Sequence, residues 1–394
     1  MTIQLLVTDR NLSVLGDPLS GCTKLACDIN FNKPAAGSAV LPARPEVVEL
    51  LQPGNRLVVV RDKGVWCAGP LEEPQDYVWD LEQNPGWGTV TVRFTDDLAR
   101  IAGYLTYPDP TLDFASQVTT SDAVRQITAT NAEEIIRTLV DENCGPSALA
   151  SRRIEQLVLD TLAGVGGTRS ISTRFEPLLD ACRTVAATDG LGFRTRQEDG
   201  QIKFGVYAPA DRTGTARFSR GLGNLRRVAF TLGGPLATSE LVQGGNDPEE
   251  QVAAGEPANV RVYVEVNSGA AADWYRVEKL IDKTGTVDDS NGELTQSGVL
   301  ALGEDNPQAS LTTETVDTED LRAGRDYWLG DRVTVALPTG LEVTNVVQTI
   351  RLTATPDTGE LVTAVIGDSD KTTTSATVRT VRDLARRLGR MEAR

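Results

Sequence analysis

Apolar and polar residues alternate with period two near both ends of the chain, while the middle carries stripes of helical period. In TKLACDINF, Leu25, Cys27, Ile29 and Phe31 alternate with polar or small residues, which marks a strand with one buried face. Val90, Val92 and Phe94 alternate likewise in GTVTVRF, and SELVQGG, NVRVYVEV and GELVTAVIG repeat the pattern later in the chain. PEVVELL opens on Pro45, a favoured first helical residue, and gives about two helical turns. DDLARIAGYL also reads as helix. NAEEIIRTLVDENCGP predicts a longer one, with Asn131 as cap, Glu134 three residues on, Gly145-Pro146 as the stop, and Ile135, Ile136, Leu139 and Val140 facing inward. FEPLLDACRTVAATDG predicts another, with Leu178, Leu179, Cys182 and Val185 inward and Gly190 ending it. LGFRTRQEDGQIKFGVY reads as a hairpin turning at Asp199-Gly200. RRIEQLVL fits a strand or a short helix. IDKTGTVDDSNGELTQSG is polar and glycine-rich, and reads as a protruding hairpin or loop.

These elements predict an α+β chain that is mostly β. Residues 1–95 form a first β domain, 96–235 an α+β middle domain, 236–370 a second β domain, and 371–394 a linker with a basic C-terminal helix. The two β segments share a motif. PGNRLVVVRDKGVW begins at Pro53 and LGDRVTVALPTGLE at Leu329. Aligned on the first glycine, Gly54, Asn55 and Arg56 meet Gly330, Asp331 and Arg332, and Gly64 meets Gly340. Each piece reads as turn, β-branched strand, second turn and returning strand. Common hairpin chemistry and a true internal repeat both fit these residues.

The 394 residues are enough for two to four domains, each with its own core. Net charge is −16. Residues 371–394 hold seven basic and two acidic side chains, which leaves −21 on residues 1–370. Such a body repels nucleic acid and anionic membrane, and the same charge also serves solubility. No apolar run approaches the ~20 residues that span a bilayer, and the first residues do not read as a signal peptide, so cytoplasmic synthesis is expected. The five cysteines lack CxxC spacing and read as small buried hydrophobes. With no histidine, Ser-His-Asp, Cys-His and HExxH chemistry is excluded.

What remains is thin. GVGGTRS at Gly164–Ser170 resembles a phosphate loop but lacks the Gly-Lys-Ser/Thr ending, and reads as a flexible loop. VDDSNGELT resembles a calcium loop, but with Gly292 at the sixth position the first is Val287, so the pattern fails and a solvated turn is expected. Asp96-Asp97, Asp288-Asp289 and Glu304-Asp305 offer carboxylates that a glycosidase would need across a cleft. Trp274 or Trp87 would serve a sugar-stacking surface, whereas Trp66 and Trp328 beside the repeat fit packing. No catalytic, cofactor-binding or metal site is assigned, and no cofactor is expected. In TVRTVRDLARRLGRMEAR, Val378, Val381, Leu384, Leu388 and Met391 share one helical face, which predicts a docking helix.

The order of IIRTLVDENCGP, ASRRIEQL, LGFRTRQEDGQIKFGVYAPADRTGTARFS, GLGNL, LVQGGND and DYWLGDRVTV resembles the tail-tip hub proteins of siphophages that infect actinobacteria, within the wider baseplate-hub and tail-associated group. The resemblance runs from about residue 95 to 370. It implies two β-barrels or sandwiches related to the tail-tube subunit, so that three chains give six barrels and a threefold hub meets a sixfold tube. It implies a virion tail-tip location, tail-tube, distal tail and tip or fibre proteins as partners, and DNA only in passage, through a bore expected to be acidic. Many relatives add a C-terminal wall-cleaving or fibre domain; with none expected here, such activity is assigned to another chain. The rivals are a carbohydrate-binding tail-tip protein and a cell-wall glycosidase.

Overall fold

In the computed structural model, residues 3–80, 82, 84–117, 124–232, 234–245, 261–272, 274–283, 286, 288–305 and 309–367 are described. The expected C-terminal helix, with Val378, Val381, Leu384, Leu388 and Met391, lies outside them. The fold is mostly β and holds several sheets.

The largest sheet has eleven strands. Lys24–Asn30, Lys33–Pro42, Asn84–Thr95, Gly64–Asp80, Arg56–Arg61, Ile3–Thr8 and Val14–Leu19 follow one another from its centre to one end. On the other side Lys24–Asn30 pairs with Glu342–Thr355, which leads to Arg332–Ala336 and Arg217–Ser219. Gly359–Ile366 pairs with Glu342–Thr355 off this path. The decisive register is antiparallel: Leu352 faces Cys27 and Ile350 faces Ile29. The first and last β segments therefore share one sheet and one core. Leu25, Cys27, Val92, Phe94, Val335 and Leu352 all lie in it.

No barrel closes among the described residues, in contrast to the barrel form implied by the resemblance. Each meander has its free edge occupied by the other, through the Lys24–Asn30 and Glu342–Thr355 pairing, so neither curls onto itself.

Helices Ala132–Cys144 and Leu178–Asp189 pack together over the hairpin Gly192–Glu198/Gln201–Tyr207. RRIEQLVL resolves as a strand, Leu157–Leu159, parallel to Gln201–Tyr207. The Asn131 side chain caps the first helix by accepting from the Glu133 N–H, and Gly190 ends the second at φ 65°. Asp199 (φ 53°) and Gly200 (φ 70°) form the two-residue turn expected of Asp-Gly.

Ser239–Gly245 pairs with Arg261–Asn267 and Glu278–Asp282 in a third sheet. Here one expectation fails. The glycine-rich stretch read as loop or hairpin ends in a helix, Glu293–Asp305. Asp289 accepts the N–H of Leu294 and Thr295 and nucleates its first turn. Its buried stripe is Leu294, Gly298 and Leu302. A Cβ at Gly298 would collide with Val266 and Val242, so glycine lets the helix lie close on the sheet. That glycine also removes the apolar residue that would have shown the helical period.

Candidate functional site: paired hairpins and an arginine cleft

The two hairpins are built alike. Gly54 and Gly330 both sit at φ 86°. Each occupies the third position of a turn closed by the following residue: Asn55 N–H donates to Gln52 O, and Asp331 N–H to Trp328 O. The pairings Arg56↔Pro70, Leu57↔Gly69, Val58↔Ala68 and Val59↔Cys67 recur at one constant sequence offset. They become Arg332↔Val346, Val333↔Asn345, Thr334↔Thr344 and Val335↔Val343. Even the exit bond recurs, from Leu71 N–H to Asn55 O and from Val347 N–H to Asp331 O.

The far turns differ. The first hairpin turns on two residues, Asp62 (φ 50°) and Lys63 (φ 71°), and Gly64 already pairs with Arg61. In the second, Gly340 (φ 88°) lies inside the loop between Ala336 and Glu342. The sequence-aligned glycines are thus not structural equivalents.

Side chains diverge more. Arg56 is buried and gives Asp97 two hydrogen bonds of 2.7 Å each, with a third to Gln197 at 3.3 Å. It ties the first hairpin to helix Asp97–Ala102 of the middle segment. Arg332 is exposed. Asn55 donates to Leu50 O, whereas Asp331 accepts from the Trp328 and Ala210 N–H groups. Gly54 has open space around it, but a Cβ at Gly330 would overlap the Phe31 ring and Pro209. Gly54→Ala is therefore expected to cost about 1–2 kcal/mol from backbone strain, and Gly330→Ala about 1–3 kcal/mol more from overpacking. Urea denaturation of the two variants checks the order.

Beside the first turn opens a cleft of about 620 Å³, between that turn, the segment after strand Gln201–Tyr207, and the loop 322–331. Arg194, Arg212, Arg322 and Arg325 line it, with Trp66 and Trp328. The two indoles meet edge to face at 5.5 Å, and both Nε1–H groups are buried without an acceptor among the described residues. The Arg194 guanidinium lies over Tyr207 (5.3 Å) and Trp328 (5.8 Å) and has no hydrogen-bonded or ion-paired partner among the described residues. Burial lowers its pKa. Sequence reading missed this cleft, because three segments far apart in the chain supply it; the only local signal is arginine beside tryptophan, as in RDYWLG.

The other candidates are accounted for by local bonding. In GVGGTRS and the residue before it, the Ala163 and Val165 N–H groups donate to the buried Glu133 carboxylate, and the Gly167 N–H to Asp189. A phosphate would find those three amides already occupied. Asp288 and Asp289 accept from backbone N–H groups of their own turn. Asp305 accepts from Lys279 at 2.6 Å. Among the described residues no cluster of Cys, Asp and Glu is placed to hold a metal ion. Trp79 and Trp87 are exposed, and Trp274 stacks on Tyr275 at 4.9 Å.

Asp96 differs from its neighbour. Asp97 is paired with Arg56, but Asp96 is half-buried, with its Oδ1 buried and unpartnered among the described residues. Burial first, then the nearby Asp97 charge, pushes it up to about 7. A carboxyl raised in the folded state stabilises it while protonated, and that contribution is lost as pH climbs from the unfolded value near 4 through 7. Asp96→Asn is expected to remove a slope worth up to about 4 kcal/mol over that range. Denaturation midpoints at pH 5 and pH 8 measure it, and a wild-type slope in the variant contradicts the assignment.

The solved structures that share the fold include three tail proteins. The 43 kDa tail protein of prophage MuSo2 from Shewanella oneidensis aligns with a TM-score of 0.58 at 12% identity, over 93% of this chain and 99% of that one. A tail protein from Neisseria meningitidis gives 0.55 at 14%, over 94% and 97%. Prophage tail protein gp18 from Listeria monocytogenes gives 0.54 at 10%, over 98% and 99%. No curated protein is detectably similar in sequence. The sequence pattern of one siphovirus family matches residues 3–368, nearly the whole chain, and the chain belongs to that family, the siphovirus ReqiPepy6 Gp37-like proteins.

Proposed function

We propose that the chain is a structural hub of a phage tail tip, acting as a homotrimer. The observation that carries this reading is the constant register offset between the two hairpins. One chain presents two β segments with matching hairpins, in residues 1–95 and 236–370, so three chains present six. A threefold ring of this kind matches a sixfold tail tube without a second adaptor. The middle segment, 96–235, is tied to the first unit through contacts such as Arg56–Asp97. The hairpins around Gly54 and Gly330 are the elements that meet the tube. Distal tail proteins and tip or fibre proteins are the other partners, and DNA passes without being specifically bound. The net charge of −16 favours an acidic bore that does not hold phosphate.

The work is geometric and not enzymatic. Of the carboxylates that a glycosidase would use, Asp97, Asp288 and Asp289 are engaged locally and the Asp96 Oδ1 is buried. A reconstruction of assembled tails is expected to show three copies with the two β units alternating around an acidic bore. Six or twelve copies, or a basic bore, would remove the hub reading. Purified chain is expected to leave cell wall intact in a zymogram, and a clear band would restore the glycosidase.

A further inference from the structure

The ribbon formed by Gly64–Asp80 and Asn84–Thr95 outruns the sheet that holds it. Lys33–Pro42 supports it only as far as Pro42↔Thr89, while the ribbon itself continues from Val78↔Thr89 to Asp80↔Asn84. Its end is a two-stranded arm with no third strand among the described residues, a form that is marginal alone in water. Yet that end carries Tyr77, Val78, Trp79 and Trp87, each more than half exposed. The arm is also acidic: residues 72–93 hold Glu72, Glu73, Asp76, Asp80 and Glu82 against the single cation Arg93.

The arginine cleft is its complement. Arg194 has no ion-paired carboxylate among the described residues, Arg212 meets Asp331 only at 3.8 Å, and Val65 is exposed beside Trp66. Asp331, one of two carboxylates in the lining, is already held by two backbone amides. In an acidic protein this is a cationic, aromatic hollow, suited to carboxylates presented beside aromatic rings.

We propose that the arm of one copy docks in the arginine cleft of a second copy, with the arm carboxylates on Arg194 and Arg212 and its tryptophans against Val65 and Trp66. The assignment rests on the reading that copies of this chain adjoin in a ring. An arm does not lie at its own cleft: Gly64–Trp66 line the cleft and Asp80 ends the arm, at opposite ends of one bulged strand whose fully extended length is roughly 50 Å. The contact is therefore head to tail, and such contacts either close a ring or propagate.

Crosslinking of the full-length chain tests it, in a Cys22→Ser background because Cys22 is the one partly exposed thiol among the five. Glu82→Cys at the arm tip and Ala208→Cys in the cleft, both at exposed positions, are bridged with a short bis-maleimide. The double variant is expected to give crosslinked oligomers, and a mixture of the two single variants dimers only. Arg194→Glu is expected to cut the yield by about tenfold or more. Arg194→Gln, with an unchanged melting temperature, decides the matter if the glutamate variant does not fold. Yield no higher than when Thr358→Cys replaces the cleft cysteine, or yield unaffected by both Arg194 variants, overturns the contact. Specific crosslinks in a set that closes at a number other than three keep the contact and sink the threefold ring. Three copies per tail without the crosslink keep the ring and sink the contact.

Discussion

Arg56→Met is expected to cost about 3–5 kcal/mol, whereas Arg332→Met at the matching position of the second hairpin is expected to change stability by less than about 0.5 kcal/mol. The two arginines occupy the same register of the same motif. What separates them is burial. Arg56 and Asp97 are only 2% and 4% exposed, joined by two bonds of 2.7 Å. Removing the guanidinium leaves the largely buried Asp97 carboxylate with only Arg100, at 3.6 Å, as a counter-charge, beside Asp96, whose Oδ1 has no hydrogen-bond partner among the described residues. Arg332 loses little, since its backbone N–H still donates to Ala210 O. Replacing both members, as Arg56→Met with Asp97→Leu, is expected to recover most of the loss, because the ion pair is itself close to neutral against an apolar pair. Chemical denaturation at pH 7 measures all four proteins. Equal losses at Arg56 and Arg332 would show that the hairpins are equivalent in energetics as well as in register.

That contrast marks where sequence reading stops. Local chemistry was legible because neighbours in the chain decide it. Asp199-Gly200 fixes its turn, Asn131 caps its helix, and Leu25, Cys27 and Ile29 alternate into the core. The repeated Gly-Asn/Asp-Arg motif was visible too, since one glycine at φ 86° sets the same turn twice. The pairing of Leu352 with Cys27 was not, because alternation says which face a residue takes and not which distant strand lies beside it. Helix Glu293–Asp305 was hidden by the glycine that its close packing requires. The cleft was hidden because Trp66, Arg194 and Trp328 become neighbours only after the sheet and the middle segment are assembled.

The second large effect is expected at Arg61, which joins the two β segments directly. Its Nε donates to Glu360 at 2.6 Å, its Nη2 to Asp317 at 3.1 Å and its Nη1 to Ala323 O at 3.1 Å. Asp317 also accepts from the Tyr327 hydroxyl and the Ala323 N–H. One cation therefore holds two carboxylates from the last β segment against the strand Arg56–Arg61 of the first. Arg61→Met leaves both carboxylates facing each other, largely out of water, and is expected to cost about 3–5 kcal/mol at pH 7.5. The pH dependence identifies the cause. Burial already raises Asp317 in the intact protein. Without the cation, the folded-state value of Asp317 rises further, so the variant takes up more protons on folding than the wild type does. Its deficit is then full above that raised value and shrinks as pH falls through it toward 5. Denaturation of wild type and variant at pH 7.5 and pH 5 gives the difference at each. A deficit that stays the same at both would mean that Arg61 acts by packing on Trp66, over which it lies at 4.8 Å, and not by neutralising the pair.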